Sequence, residues 1–311
     1  DIATNGGVGT YVVGSHAVTV NDATNSSIAA TDLSTIGAAT AGTVTVTNAV
    51  AISGTQSEVT AALVTSDSKV VAETSVVTLS DSSIAAASVN AIDTHTSGLI
   101  TVNATTITGD HADITTAISS AGTAISGSIA VTSGNNMSSS ELAAMDILTT
   151  GTITATISDG GLDALASLTN VNTNNALTIV VADAAATAVE LNTLNDMTSL
   201  NVTASAVEAI ESSAVSAVKT LITNATAAGI DTDYTVTLSD ESIAATDITT
   251  VDTHTSGLVT VNATTITGDH ADITTAISSA GTAISGSIAV TSDNNMSSSE
   301  LAAMDILTTG T

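Results

Sequence analysis

Residues 128–151 read Ser-Ile-Ala-Val-Thr-Ser-Gly-Asn-Asn-Met-Ser-Ser-Ser-Glu-Leu-Ala-Ala-Met-Asp-Ile-Leu-Thr-Thr-Gly, and this stretch decides the fold. Its first six residues include β-branched side chains in rough alternation, which predicts a strand. Gly134, Asn135 and Asn136 are turn formers. Ser138 and Glu141 have the spacing of a capping box, in which each side chain satisfies an amide at a helix start. Leu142, Met145 and Leu148 then fall on one helical face, and Gly151 ends the helix. A new strand, Thr152–Thr156, begins at once. Residues 99–127 have the same order: a strand over 100–107, an N-cap at Asp110 or Gly109, a face of Ile114, Ala117 and Ile118, and a stop at Gly122.

The pattern repeats on two scales. Residues 99–151 and 258–310 are the same sequence apart from Ile100 against Val259 and Gly134 against Asp293, an offset of 159 residues. Inside that period lies a shorter one, with 75–98, 128–151, 152–175, 176–199, 234–257 and 287–310 each 24 residues long. Longer units at 16–42, 43–74, 99–127, 200–233 and 258–286 fill the gaps, about eleven units in all after an irregular segment 1–15. Such a repeat predicts an α/β solenoid over 16–311, continuous and holding nearly two copies of the long repeat. Identical connections make successive strands parallel neighbours, so one parallel sheet is expected. The alternative left open is a right-handed parallel β-helix in which the Thr-rich second halves are extended, because threonine is a mediocre helix former.

Composition agrees with stacked layers. The chain has no Pro, Cys, Trp, Phe or Arg, and Tyr11 and Tyr234 are its two tyrosines. The core must therefore be filled by Ile, Val, Leu and Ala, which suits a narrow, repeated cross-section. Thirty Asp and Glu face only Lys69 and Lys219, a formal charge of −28. That charge repels phosphate backbones and anionic lipid, so nucleic acid is not an expected partner and divalent cations are the natural counter-ions. No apolar run approaches the roughly 18 residues that span a bilayer, so membrane insertion is not expected. The chain begins at Asp1 without a secretion signal and reads as a processed form or a piece of something longer. Gly310 and Thr311 match the boundary at Gly151 and Thr152, with no change that would cap an end. Head-to-tail self-association in a filament, or excision from a longer array, is therefore expected.

The phrases LSDSSIAA from Leu79, TVNATTITGDHADITTAISSAG from Thr101 and SSSELAAMDILTTG from Ser138 resemble the Thr/Ser/Ala/Asp-rich repeats of very large secreted surface proteins of cyanobacteria and related marine bacteria. The resemblance implies an extracellular or cell-surface place. The calcium-binding nonapeptide that marks many such proteins is missing, its nearest fragment being Ser158-Asp159-Gly160-Gly161.

Two acidic positions recur. One follows each strand (Asp22, Asp81, Asp159, Asp183, Asp240 and Asp293, with Asp110 and Asp269 in longer units) and suits helix capping. The other lies near helix ends, at Asp93, Asp146, Asp252 and Asp305, where a negative charge opposes the helix dipole. Stacked carboxylates about 5 Å apart would repel, and calcium would relieve them, so these four are the candidate metal ligands. The duplicated pairs His95 with His111 and His254 with His270 offer two nitrogens but no third. Thr-x-Thr runs suggest ice binding, but the threonines are not expected to hold one position from coil to coil. Asn25, Asn103, Asn136, Asn201, Asn224, Asn262 and Asn295 head Asn-x-Ser/Thr sequons, and surface hydroxyls add further possible glycan sites. No hydrolase elbow, phosphate loop, dinucleotide loop or zinc-protease motif occurs, so no enzyme is expected. The expected function is structural, in a filament, sheath or surface layer. The runner-up is the stalk of a calcium-dependent adhesin, with ice binding behind both.

Overall fold

Polar turn formers break the longest predicted strand in two, whereas Ala130–Ser133 and Ile153–Thr156 are each one strand. In the block 99–127, Asn103, Ala104 and Thr105 interrupt the run, leaving strands Ile100–Val102 and Thr106–Gly109. In the preceding coil Ser80, Asp81 and Ser82 separate Val76–Leu79 from Ser83–Ala85. The chain turns a corner at each break, so the two strands of a coil belong to different sheets. One sheet with one strand per coil was the expectation from the repeat. The computed structural model, which describes residues 14–284 and 287–308, has five sheets among those residues, and their strands pair in parallel. The segment 1–13 and the ends Gly310 and Thr311 lie outside the described residues.

The protein is α/β throughout. It divides into two compact units, Asp1–Met137 with Glu141–Thr156, and Ser138–Ser140 with Ile157–Thr311. In the first, Val18–Val20, Val44–Val46 and Val70–Val71 form one sheet. Ser27–Ala29, Ala51–Gly54, Val76–Leu79, Ile100–Val102 and Thr123–Ala124 form a second. Ser83–Ala85, Thr106–Gly109, Ala130–Ser133 and Ile153–Thr156 pair in that order in a third. The second unit repeats the scheme, with Ala185–Thr187, Ala209–Ser213, Thr235–Leu238, Val259–Val261 and Thr282–Ile284 in one sheet. Ser242–Ala244, Thr265–Gly268 and Ala289–Ser292 make its other sheet. The element order thus recurs at the spacing of the long repeat.

Register explains the core. Because side chains alternate across a strand, in-register parallel pairing stacks like on like. Ile84, Ile107, Val131 and Ile153 line up across four strands, each at most 1% exposed. Burying each such side chain contributes about 1.5–3 kcal/mol. Helices pack against the strands that flank them. Ala86, Val89 and Ile92 of helix Ala86–Asp93, like Val215, Val218 and Leu221 of helix Val215–Thr223, bury one narrow stripe.

The second half of the repeat is helical, not extended. Its threonines satisfy their own hydroxyls by donating to the carbonyl four residues back, as Thr115 does to His111 and Thr116 to Ala112. A hydroxyl bonded within its own helix needs no outside partner, and the buried apolar stripe, such as Ala245, Ile248 and Val251, holds these Thr-rich segments helical against their propensity.

Candidate functional site

The acidic row that follows the strands reaches across coils. The Asp81 carboxylate accepts the Gln56 amide at 2.6 Å, Asp159 accepts Ser139 at 2.6 Å, Asp183 accepts Leu162 at 2.7 Å and Asp240 accepts Val215 at 2.7 Å. Each amide opens a helical segment belonging to the coil before. Asn135, Ser213 and Asn294 do the same for His111, Ala188 and His270. Helix capping is the role expected of this row, but the cap comes from the following coil. Helices Leu162–Leu165 and Val215–Thr223 receive no side-chain bond from their own N-cap residues, so the neighbour supplies what the local sequence lacks. Local capping boxes occur at Thr55 with Glu58, Thr187 with Glu190 and Ser297 with Glu300.

A second link escaped sequence reasoning. Thr40, Thr96, Thr149 and Thr255 are buried, and each hydroxyl donates to a carbonyl at the start of its own coil: His16, Ser75, Ile129 and Tyr234 respectively. The same oxygen accepts the amide two residues on, from Gly42, Gly98, Gly151 or Gly257. The signal was Thr-x-Gly at each coil end, easily taken for a simple helix stop.

Asp93 and Asp252 belong to a variant of this clasp. Ser120 donates to the Asp93 carboxylate at 2.9 Å, and Ser279 to Asp252 at 2.7 Å, while each serine oxygen accepts a glycine amide. A carboxylate here stands in for the carbonyl used elsewhere. Asp93, Asp146 and Asp252 are half-buried and Asp305 is exposed. The four are not in successive coils: between the coils of Asp93 and Asp146 lies the one contributing Ser120. Among the described residues no three His, Asp or Glu side chains come together in a group able to hold a metal.

The histidines have separate partners. His95 Nδ1 lies 2.9 Å from the Ala91 carbonyl. His111 pairs with Glu141 at 3.0 Å and with Asn135, and His270 repeats this with Glu300 at 2.8 Å and with Asn294. His254 lies 3.3 Å from the Tyr234 hydroxyl. Threonines do hold position in places, contrary to the sequence expectation: Thr108, Thr132 and Thr154 are in register across three coils. The neighbouring column continues from Thr106 to Ala130, so the ladder is one residue wide. Of the sequon asparagines, Asn224 is half-buried and the other six are exposed.

Amide bonding lowers two carboxyls. Ser139's backbone amide holds Asp159 below the usual carboxylate range, and the Ser297 hydroxyl and amide, helped by His270, do so for Glu300. A depressed carboxyl adds stability above its unfolded value, and that stability is lost as pH falls through the folded value. Replacing Asp159 by Ala is expected to cost about 1–2 kcal/mol at neutral pH. In urea unfolding, the wild type should lose stability relative to Asp159→Asn between about pH 5 and pH 3. Parallel profiles would remove the charged cap from the account.

No family model, curated protein or solved structure matches the chain. Among the described residues, no helix is long and apolar enough to cross a membrane.

Proposed function

We propose that the protein is a structural, extracellular repeat protein whose coils wind as an α/β solenoid and extend a filament, sheath or surface layer. The observation that carries this reading is the recurrence of one element order in two compact units, at the spacing of a nearly identical sequence repeat. Repetition of that kind builds length rather than a single pocket. The polar groups with the most regular geometry also join coil to coil or close a coil on itself, and so serve the rod. Lys69 and Lys219 are the only basic residues besides histidine, leaving trypsin-like proteases little to cut, which suits exposure outside a cell. Immunogold labelling of intact cells should decorate extracellular filaments continuously. Signal confined to the cytoplasm would overturn the reading.

The rival is the stalk of a calcium-dependent adhesin. It draws on the charge of −28 and on the half-buried Asp93, Asp146 and Asp252. With calcium bound to the folded state, EDTA lowers the melting temperature and millimolar calcium restores it. With Asp93 and Asp252 held by serine hydroxyls instead, the melt is unchanged by either. Divalent cations then act only as diffuse counter-ions, and glycans at the exposed sequons remain a separate modification.

A further inference from the structure

One polar cluster occurs twice, once in each unit. In the first, His111 Nε2 lies 3.0 Å from the Glu141 carboxylate and Nδ1 lies 3.2 Å from Asn135 Oδ1. In the second, His270 Nε2 lies 2.8 Å from Glu300 and Nδ1 lies 3.3 Å from Asn294 Oδ1. Each histidine opens its helix, His111–Ser119 or His270–Ser278, and both of its partners belong to the coil that follows. The rings are half-buried.

The asparagine oxygen is fixed as an acceptor. Asn135 Oδ1 takes the His111 backbone amide at 3.0 Å and the Ser133 hydroxyl at 3.1 Å. Asn294 Oδ1 likewise takes the His270 amide at 3.1 Å and the Ser292 hydroxyl at 2.7 Å. Turning either side-chain amide over would set its NH2 group against a backbone N–H. An ionised carboxylate is also an acceptor only, and the second oxygen of Glu300 is held by the Ser297 amide at 2.7 Å. Both nitrogens of each ring therefore face acceptors. A neutral imidazole has a single N–H and serves one of them, whereas the imidazolium has two and serves both.

We propose that His111 and His270 are proton-operated latches between neighbouring coils. Protonated, each ring ties its own helix to the turn and the helix of the next coil. Deprotonated, it keeps one bond and turns a lone pair toward the other acceptor. A positive ring at a helix start opposes the helix dipole. That dipole amounts to about half an elementary charge, and the glutamate brings a full one within hydrogen-bonding distance. The strands packed against these two helices carry no titratable side chain. The titratable groups of the first helix and its helical neighbours, with its N-cap, are Asp93, Asp110, Asp113, Glu141 and Asp146. Their equivalents around His270 are Asp252, Asp269, Asp272, Glu300 and Asp305, joined by Asp247 and Asp293. Lys219 is tied to Asp247 at 2.6 Å and does not take the glutamate from the ring. The latch does not depend on the filament reading.

Stability tied to the second ring proton is complete in acid while the glutamates stay ionised, and it fades as pH rises through the histidine range. His111→Gln combined with His270→Gln leaves a donor at each site and no charge. By thermal melting, the wild type should lie about 2 °C or more above this double variant at about pH 5.5, and the gap should fall to less than half at about pH 8. Comparing the two chains at each pH cancels the titration of every other group. Glu141→Gln combined with Glu300→Gln keeps an acceptor and the capping box but removes the opposing charge, and should show the same shrinking gap. No gap at about pH 5.5, or gaps of equal size at both pH values, would mean that these side chains only pack, and would overturn the latch.

Discussion

Gly151→Ala is expected to destabilise the protein by about 3 kcal/mol or more, whereas Gly127→Ala should change stability by less than about 0.5 kcal/mol. Both glycines stand near coil boundaries, and helix propensity does not separate them. Space does. A methyl group on Gly151 would overlap the backbone carbonyls of Ile129 and Ser128, and one on Gly127 meets nothing. Backbone cannot swing aside as a flexible side chain can, and moving it would also break the Thr149 hydroxyl bond to the Ile129 carbonyl. Gly98 and Gly257 lie equally close to the Ser75 and Tyr234 carbonyls, so their alanine variants should behave like Gly151→Ala. Urea unfolding followed by circular dichroism measures all four. A tolerated Gly151→Ala would mean that the clasp contributes little to holding a coil closed.

That contrast marks how far the sequence could be read. Strand, turn, capping signal and glycine in residues 128–151 lead to the helix Ser139–Leu148 and to parallel pairing, because those signals are local. The number of sheets is not local. Asn103-Ala-Thr105 reads as continuous strand until the corner places Thr106–Gly109 in another sheet from Ile100–Val102. Nothing in the composition of that tripeptide measures the angle of the turn.

The same limit applies to the carboxylates. Asp159 and Asp240 look like caps of the helices that follow them, since capping residues normally precede their helix. In the folded chain they cap the helix of the coil before, a relation fixed by stacking and about 20–25 residues distant in sequence. Asp93 looked free to bind a cation because its partner Ser120 is 27 residues away. Repetition makes such pairings predictable only once the coil length and the stacking register are both known.

Tyr234 tests the core itself. It is 1% exposed, and the matching position in the first unit is Ser75. Ser75 is fully buried with an unpartnered hydroxyl, and His95 there turns to the Ala91 carbonyl. In the second unit the larger ring fills the space and its hydroxyl meets His254 instead. Tyr234→Ala should therefore cost about 3–5 kcal/mol, the range for emptying a buried aromatic site. Tyr234→Phe keeps the packing and should cost about 1 kcal/mol for the lost hydrogen bond. Burial also raises the phenol above its ordinary value. Its neutral form contributes stability that is complete below about pH 10 and is lost as pH rises through the folded value, because the unfolded chain ionises first. In a Tyr11→Phe background Tyr234 is the one remaining tyrosine, and its ultraviolet titration should lag that of the urea-unfolded chain. Equal titration in the folded and unfolded chains, or an alanine variant as stable as the phenylalanine one, would mean the ring is not part of the core.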